Sequence, residues 1–324
     1  MSFAITLNNI GGPEVLQWEA IHVGQPGPEQ IRLRHTAIGL NFIDIYHRTG
    51  LYTQPLPFVP GVEAAGVIEA IGSNVANLKI GDRVAYALGI GAYSEERLIA
   101  ADRVVKIPDG IGDADAAAIM LKGMTAQYLL RRVHRVAKDD TILVHAAAGG
   151  VGLIMCQWAS HLGATVIGTV STEAKAELAR ANGCTHVITT HNSDFVARVK
   201  EITGGKGLPV VYDAVGRDTF HKSLACLKPV GIMVLFGQAS GAVEPIDPNI
   251  LQRGSLFLTR PTLGTYIASR SDLEETANEL FNVVASGAVK IAVKQRYRLR
   301  DAGFAHRDLE ARKTIGSTVL DVNG

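Results

Sequence analysis

The sequence is poor in the features that would take it out of the globular enzymes. Its 324 residues contain no uninterrupted apolar run of about 18 or more, so no membrane-spanning helix is predicted. The opening Met1-Ser2-Phe3-Ala4-Ile5-Thr6-Leu7 has no charged stretch leading into a long apolar core and does not read as a secretory signal. Only three cysteines occur, Cys156, Cys184 and Cys226, far apart and with no C-x-x-C pair. That predicts reduced, buried thiols, a cytoplasmic location and no zinc lobe. Net charge is +1 and charged residues make up 19%. Without a basic stripe, the balance argues against a nucleic-acid partner and against an anionic membrane surface. The ten histidines show no paired metal spacing, and there is no internal repeat.

What is present is 47% hydrophobic residues and 34 glycines, in a chain long enough for two cores. Residues 1 to about 110 read as β-rich. Short apolar runs at 30–35, 65–71 and 82–86 are separated by Gly11-Gly12-Pro13, by 24–28 and by Pro55-Leu56-Pro57. This pattern predicts a partly closed barrel or sandwich, interrupted by a helix from Asn41 to about Arg48. A helix headed by Asp113 and Asp115 follows, then a second at 125–135. Strands at 142–146, 165–169, 186–188, 210–214 and 232–236 then alternate with helices at 151–162, 172–181, 193–202 and 219–227. That rhythm predicts a doubly wound parallel sheet. A β-like run at 255–260, helices at 272–286 and 301–310, and a strand at 317–322 close the chain. The expected α/β layout is a β-rich domain at 1–123, a nucleotide-binding domain at 124–261, and a return of 262–324 to the first domain.

The alternation starts at Ile142-Leu143-Val144-His145-Ala146-Ala147-Ala148-Gly149-Gly150-Val151-Gly152, where an apolar run meets a glycine cluster that opens a helix. Strand, tight turn and helix are the context of a dinucleotide fingerprint. Gly149, Gly150 and Val151 would present backbone N–H groups to a pyrophosphate, and Gly152 would let helix and strand pack closely. Ala147 replaces the first glycine of G-x-G-x-x-G. Enzymes that select NAD place an acid after the second strand, to hold the ribose 2′-hydroxyl. Here Val170, Ser171 and Thr172 follow that strand, with Lys175 one turn on. A hydroxyl and an ammonium suit a 2′-phosphate, so the expected cofactor is NADPH.

Six motifs, in one order and over nearly the whole chain, closely resemble those of the zeta-crystallin-like quinone oxidoreductases of the medium-chain dehydrogenase/reductase superfamily. They are Gly39-Leu40-Asn41-Phe42-Ile43-Asp44-Ile45-Tyr46, Pro60-Gly61-Val62-Glu63-Ala64-Ala65-Gly66, Gly81-Asp82-Arg83-Val84, Lys122-Gly123-Met124-Thr125-Ala126, 145–152 and Phe236-Gly237. The resemblance implies a GroES-like domain beside a Rossmann domain, a quinone or another conjugated carbonyl as substrate in the interdomain cleft, and a homodimer paired through 254–260. Zinc-dependent members carry a cysteine where this chain has Asn41 and a histidine where it has Val62, so no metal is expected. Glu63 is expected to hold a loop together. Hydride addition to a quinone leaves a phenolate-like oxygen, whose conjugate acid has a pKa near that of tyrosine, about 10, and a hydrogen-bond donor suffices for it.

The resemblance also implies the site. Asn41, Tyr46, Tyr52 and Thr125 would face the reacting groups, with Tyr128 beside the nicotinamide. Phe236, Gly237 and Ser240 would contact it beyond the strand ends, where doubly wound sheets bind ligands. Thr190 stands where relatives often carry a tyrosine near the adenosine phosphate. His145 is expected to be structural. Competing readings are an enal or enone reductase on the same fold, and a cofactor-binding protein of negligible turnover, as in lens crystallins, or an RNA-binding relative.

Overall fold

The computed structural model describes residues 1–190 and 194–322. Ser193, the expected start of one helix, lies outside them. The chain forms two compact units. One comprises Met1–Met124, Ile267–Phe281 and Ile291–Gly324, and the other Thr125–Tyr266 and Asn282–Lys290.

The first unit is built on Gln30–Leu40, which alternates buried and half-buried side chains before becoming wholly buried. That alternation is the period of a strand with one face on a core. It pairs antiparallel with Glu63–Ile71, Glu96–Ala100 and Ser317–Asp321. Arg83–Ala87, Val105–Lys106 and Val293–Arg298 complete a seven-stranded sheet. Ile5, Ile31, Leu33, Ile38, Ile68 and Val84 fill its core, all about fully buried, and each such side chain contributes roughly 1.5–3 kcal/mol on leaving water. Helix α1 (Phe42–Arg48) follows the long strand directly, with Asn41 as its N-cap.

The sequence predicts two helices over 113–135. The structure has one, α2 (Asp113–Tyr128), followed by a single π-helical turn at Leu129–Val133. Gly123 lies within α2 and permits close packing, since a Cβ there would stand 2.5 Å from Leu280 Cδ1.

The second unit is a six-stranded parallel sheet: β1 (Thr141–Val144), β2 (Thr165–Val170), β3 (His186–Thr189), β4 (Leu208–Asp213), β5 (Leu227–Leu235) and β6 (Phe257–Thr259). Their order is β3-β2-β1-β4-β5-β6, the doubly wound arrangement expected of a dinucleotide-binding domain. Helices α3 (Gly150–His161) and α4 (Glu173–Ala181) follow β1 and β2. The helix expected at 219–227 is shorter, Phe220–Leu224. Leu227 is withdrawn into β5, where it pairs with Leu208.

The cysteines are less scattered than their spacing implies. Cys156 on α3 and Cys184 before β3 lie 3.2 Å apart, sulfur to sulfur, as buried free thiols. Twenty-eight residues of sequence separate them, and only the crossover of the second βα unit brings them together.

Candidate active site

The glycine turn opens α3. Its N-cap is Gly149, and Gly150 and Val151 are the first helical residues. A Cβ at Gly152 would collide with the carbonyl oxygen of Ala146, so the helix meets the turn there at a distance only glycine allows. Ala147 is accommodated by a second exchange. Its methyl fits because Gly168 on β2 has none, and a Cβ at Gly168 would stand 2.7 Å from that of Ala147. The small residue has moved from the turn to the neighbouring strand.

His145 is buried beneath the turn. Nδ1 lies 2.8 Å from Thr169 Oγ1 and Nε2 lies 2.9 Å from Ser223 Oγ. Burial pushes its pKa down, which keeps the ring neutral and structural.

At the end of β2, Ser171 is exposed. Thr172 is the N-cap of α4, its hydroxyl accepting from the N–H of Lys175 at 3.4 Å. Ser171 is therefore left outside the helix, one residue beyond Val170. Lys175 is half-buried in the first turn. Thr190 closes on the same place, its N–H donating to Val170 O at 2.9 Å. The structure thus brings Ser171, Lys175 and Thr190 together around the end of β2. Glu173 also stands in that first turn, a carboxylate that the sequence reading passed over. It is tied to Arg180 at 2.9 Å and accepts from Thr189 Oγ1 at 3.3 Å.

The carboxyl ends of β4 and β5 are knitted together. Asp213 Oδ1 accepts from the N–H groups of Val215 and Gly216, and Oδ2 from the hydroxyls of Thr219 and Ser223. Phe236 and Gly237 follow β5, their N–H groups turned to Asp213 O at 2.9 and 3.3 Å. The hydroxyl of Ser240 donates to Val215 O at 2.8 Å and accepts from Asp218 N at 3.1 Å, so it serves the loop first. Phe236 is half-buried. Thr125 lies inside α2 and caps nothing. Tyr128 is buried and stacked on Tyr266, with ring centroids 4.5 Å apart and planes 8° apart, so one face of its ring is taken.

In the first unit a polar cluster surrounds Asn41. Asn41 Nδ2 donates to Glu63 Oε1 at 2.9 Å and to Gly39 O at 3.5 Å. Lys122 Nζ donates to the same Glu63 oxygen at 2.7 Å and to Leu40 O at 3.2 Å. Glu63 Oε2 accepts from Leu121 N at 2.5 Å. Asp44 Oδ2 accepts from the N–H of Asn41 at 2.9 Å and from the Tyr93 hydroxyl at 3.0 Å. Burial, opposed by those two bonds, pushes the Asp44 carboxyl up to about 7. Behind Tyr93, His306 Nε2 lies 3.0 Å from its hydroxyl, Arg48 reaches His306 Nδ1 at 3.2 Å, and Glu310 binds Arg48 at 2.6 Å.

Tyr46 and Tyr52 are brought together edge to face, with centroids 5.2 Å apart, and Tyr52 N donates to Tyr46 O at 3.0 Å. Both are half-buried. Sequence reasoning missed Asp44 and Lys122. Their only signal was their place inside two of the six motifs, next to residues already chosen.

Residues 27–109 match the family model described as the alcohol dehydrogenase GroES-like domain, and 150–282 that of a zinc-binding dehydrogenase. The chain is 51% identical over 313 residues to a quinone oxidoreductase of Pseudomonas aeruginosa, covering 96% of each. It is 49% identical over 330 residues to a 2-haloacrylate reductase of a Burkholderia species, covering 99% of each. Its fold matches the crystal structure of Escherichia coli quinone oxidoreductase complexed with NADPH, with a TM-score of 0.96 at 49% identity over 98% of this chain and 99% of that one.

The zinc in one family description does not fit these residues. Zn²⁺ takes thiolate, imidazole or carboxylate ligands. Here Asn41 turns its amide nitrogen to Glu63, Val62 is aliphatic and buried, and the Glu63 carboxylate is already neutralised by the Lys122 ammonium. Among the described residues no group of three His, Cys, Asp or Glu side chains is placed to share a metal ion.

Proposed function

The chain belongs to the quinone oxidoreductase family of the medium-chain dehydrogenase/reductase superfamily, and on that premise we propose that it is an NADPH-dependent quinone reductase that works without zinc. The observation that carries the reading is the end of β2. Ser171, Lys175 and Thr190 lie around it, and the Glu173 carboxylate in the first turn of α4 is bound to Arg180. A hydroxyl and an ammonium at that place suit a 2′-phosphate better than a bare ribose hydroxyl. The solved Escherichia coli relative was crystallised with NADPH, which supports the same cofactor.

NADPH supplies a hydride when bound, and the balance is NADPH, one proton and a quinone giving NADP⁺ and a hydroquinone. The residues of this chain divide the remaining work. The N–H groups of Gly150 and Val151 would hold the pyrophosphate at the N-terminus of α3, and Gly149, its own N–H on Ala146 O at 2.8 Å, would let the backbone approach closely. Phe236, Gly237 and Ser240 offer backbone groups to the carboxamide, and Thr125 and Tyr128 bound the nicotinamide end. Tyr46 and Tyr52 wall the quinone, and a tyrosine hydroxyl donates to the oxygen on which charge collects. A phenolate-like product oxygen needs no Lewis acid, in keeping with a donor set unsuited to zinc. The protein works in the cytoplasm, where its three free thiols remain reduced. It pairs as a homodimer through β6, an edge strand that exposes Phe257.

The similarity to a 2-haloacrylate reductase favours one second reading, a conjugated acid or carbonyl as acceptor. NADPH oxidation by chelator-treated protein with 1,4-benzoquinone and with 2-chloroacrylate separates the two. Turnover of benzoquinone is expected. Turnover confined to 2-chloroacrylate would replace this reading with the second, and NADPH binding without either would leave a cofactor-binding protein.

A further inference from the structure

We infer that the buried Lys122–Glu63 pair is a positioning device that fixes Asn41 as a hydrogen-bond acceptor. The inference rests on the reading of the chain as an NADPH-binding reductase. An amide can present either end to a ligand, and the choice decides what it recognises. Here the choice is made by the two N–H groups. Both N–H groups of Asn41 are spent inside the protein, one on Glu63 Oε1 at 2.9 Å and one on Gly39 O at 3.5 Å. On the other side the backbone of Asn41 caps α1, its N–H donating to Asp44 Oδ2 at 2.9 Å and its carbonyl accepting from Asp44 N at 3.1 Å. Turning the amide over would set its oxygen against the Glu63 carboxylate. What remains to Asn41 is Oδ1, with which it accepts and does not donate.

Lys122 makes this arrangement tenable. Glu63 is completely buried and Lys122 only 8% exposed. A carboxylate in such a place needs a counter-charge. The ammonium supplies it at 2.7 Å on the same oxygen that binds Asn41. Lys122 thus acts on the ligand through Glu63 and Asn41.

The consequence concerns chemistry. A quinone carbonyl only accepts hydrogen bonds, so Asn41 is not its donor, and the oxygen that gathers charge must be served by another residue. The partner of Asn41 is a donor, an N–H of the nicotinamide carboxamide or a ribose hydroxyl of NADPH.

The test is a binding cycle read by NADPH fluorescence. Lys122→Met alone strands a buried carboxylate and risks the fold. The pair is therefore removed together as Glu63→Leu/Lys122→Met, a change that leaves no unpaired charge. This double variant is expected to melt as a folded protein and to bind NADPH about tenfold more weakly, the worth of one hydrogen bond. Asn41→Leu is expected to lose the same factor, and the triple variant no more than either. Reduced 3-acetylpyridine adenine dinucleotide phosphate, which lacks the carboxamide N–H, distinguishes the two sources of the donor. If Asn41→Leu leaves its affinity unchanged, the donor is the carboxamide. If the variant weakens it as it weakens NADPH, the donor is a ribose hydroxyl. A folded double variant with wild-type affinity, or losses that multiply in the triple variant, would overturn the inference and leave the proposed function standing. Wild-type protein that binds no NADPH would overturn both.

Discussion

The two units solve the problem of a buried polar site in opposite ways. In the cofactor unit the turn at 145–152 is shaped by backbone and small residues, and the buried Asp213 carboxylate beyond it is held by N–H and hydroxyl donors. His145 is held between the hydroxyls of Thr169 and Ser223, and its low pKa keeps it uncharged. In the first unit the groups around Asn41 are charged: Lys122 on Glu63, and Arg48 on Glu310 behind His306. A cluster held by hydrogen bonds gives up little when its neutral histidine is lost, because the Ser223 hydroxyl keeps its bond to Asp213. An ion pair out of water is worth little as a whole but costs heavily when half of it is removed.

Single substitutions should expose that contrast. Lys122→Met alone is expected to cost about 3–5 kcal/mol in urea unfolding, since it leaves Glu63 buried and unpaired. Gly152→Val, which drives a side chain into the carbonyl of Ala146, is expected to cost about 3 kcal/mol and to abolish NADPH binding. His145→Leu should cost less, about 1–3 kcal/mol, the penalty of the bonds lost at Thr169 and Ser223. A His145 variant that destabilises more than Lys122→Met would break the comparison.

Acid should find the first unit before the second. Burial lowers His35 and His306 from 6.5 to about 3, so neither is charged in the fold, while the unfolded chain takes up a proton at each below pH 6.5. Asp44 works the other way. Raised from 3.8 to about 7, it holds a proton in the folded state over that range and offsets one histidine. The net effect is a loss of about 1.4 kcal/mol per pH unit as pH falls from 6.5 towards 4. His47 in the first unit and His145 in the second, both lowered by burial, add to it. Urea unfolding at pH 7, 6 and 5 checks the slope, and Asp44→Asn should steepen it by about 1.4 kcal/mol per pH unit by removing the offset. Hydrogen exchange should report opening around His35 and His306 first. Stability that holds or rises on acidification would contradict the assignment.

The contrast also explains what could be read without coordinates. The cofactor unit was legible almost to the residue, because strand periods, helix caps and glycines are local signals. The departures there were short-range competitions: Leu227 taken by β5, and Thr172, expected as the first helical residue, serving as the cap. Asn41 was legible as a position through the motif around it, and Glu63 as a residue that holds a loop. What Asn41 does was not legible. Its orientation depends on Lys122, 81 residues away in sequence, and on a helix that the sequence reading begins anew at 125. Ion pairs across such distances leave no periodicity, nor does the meeting of Cys156 with Cys184.

The smallest expected effects belong to the exposed end of β2. Ser171→Ala should weaken NADPH by about 0.5–1.5 kcal/mol, and Glu173→Gln should strengthen it by a few tenths, both read by titration. Lys175→Glu puts the central claim at stake. The ratio of kcat/KM for NADPH over NADH, measured with 1,4-benzoquinone in the wild type and in Lys175→Glu, tests it most directly. The account predicts a wild-type preference for NADPH that falls about tenfold or more in the variant, through loss of NADPH use alone. An unchanged ratio would contradict it.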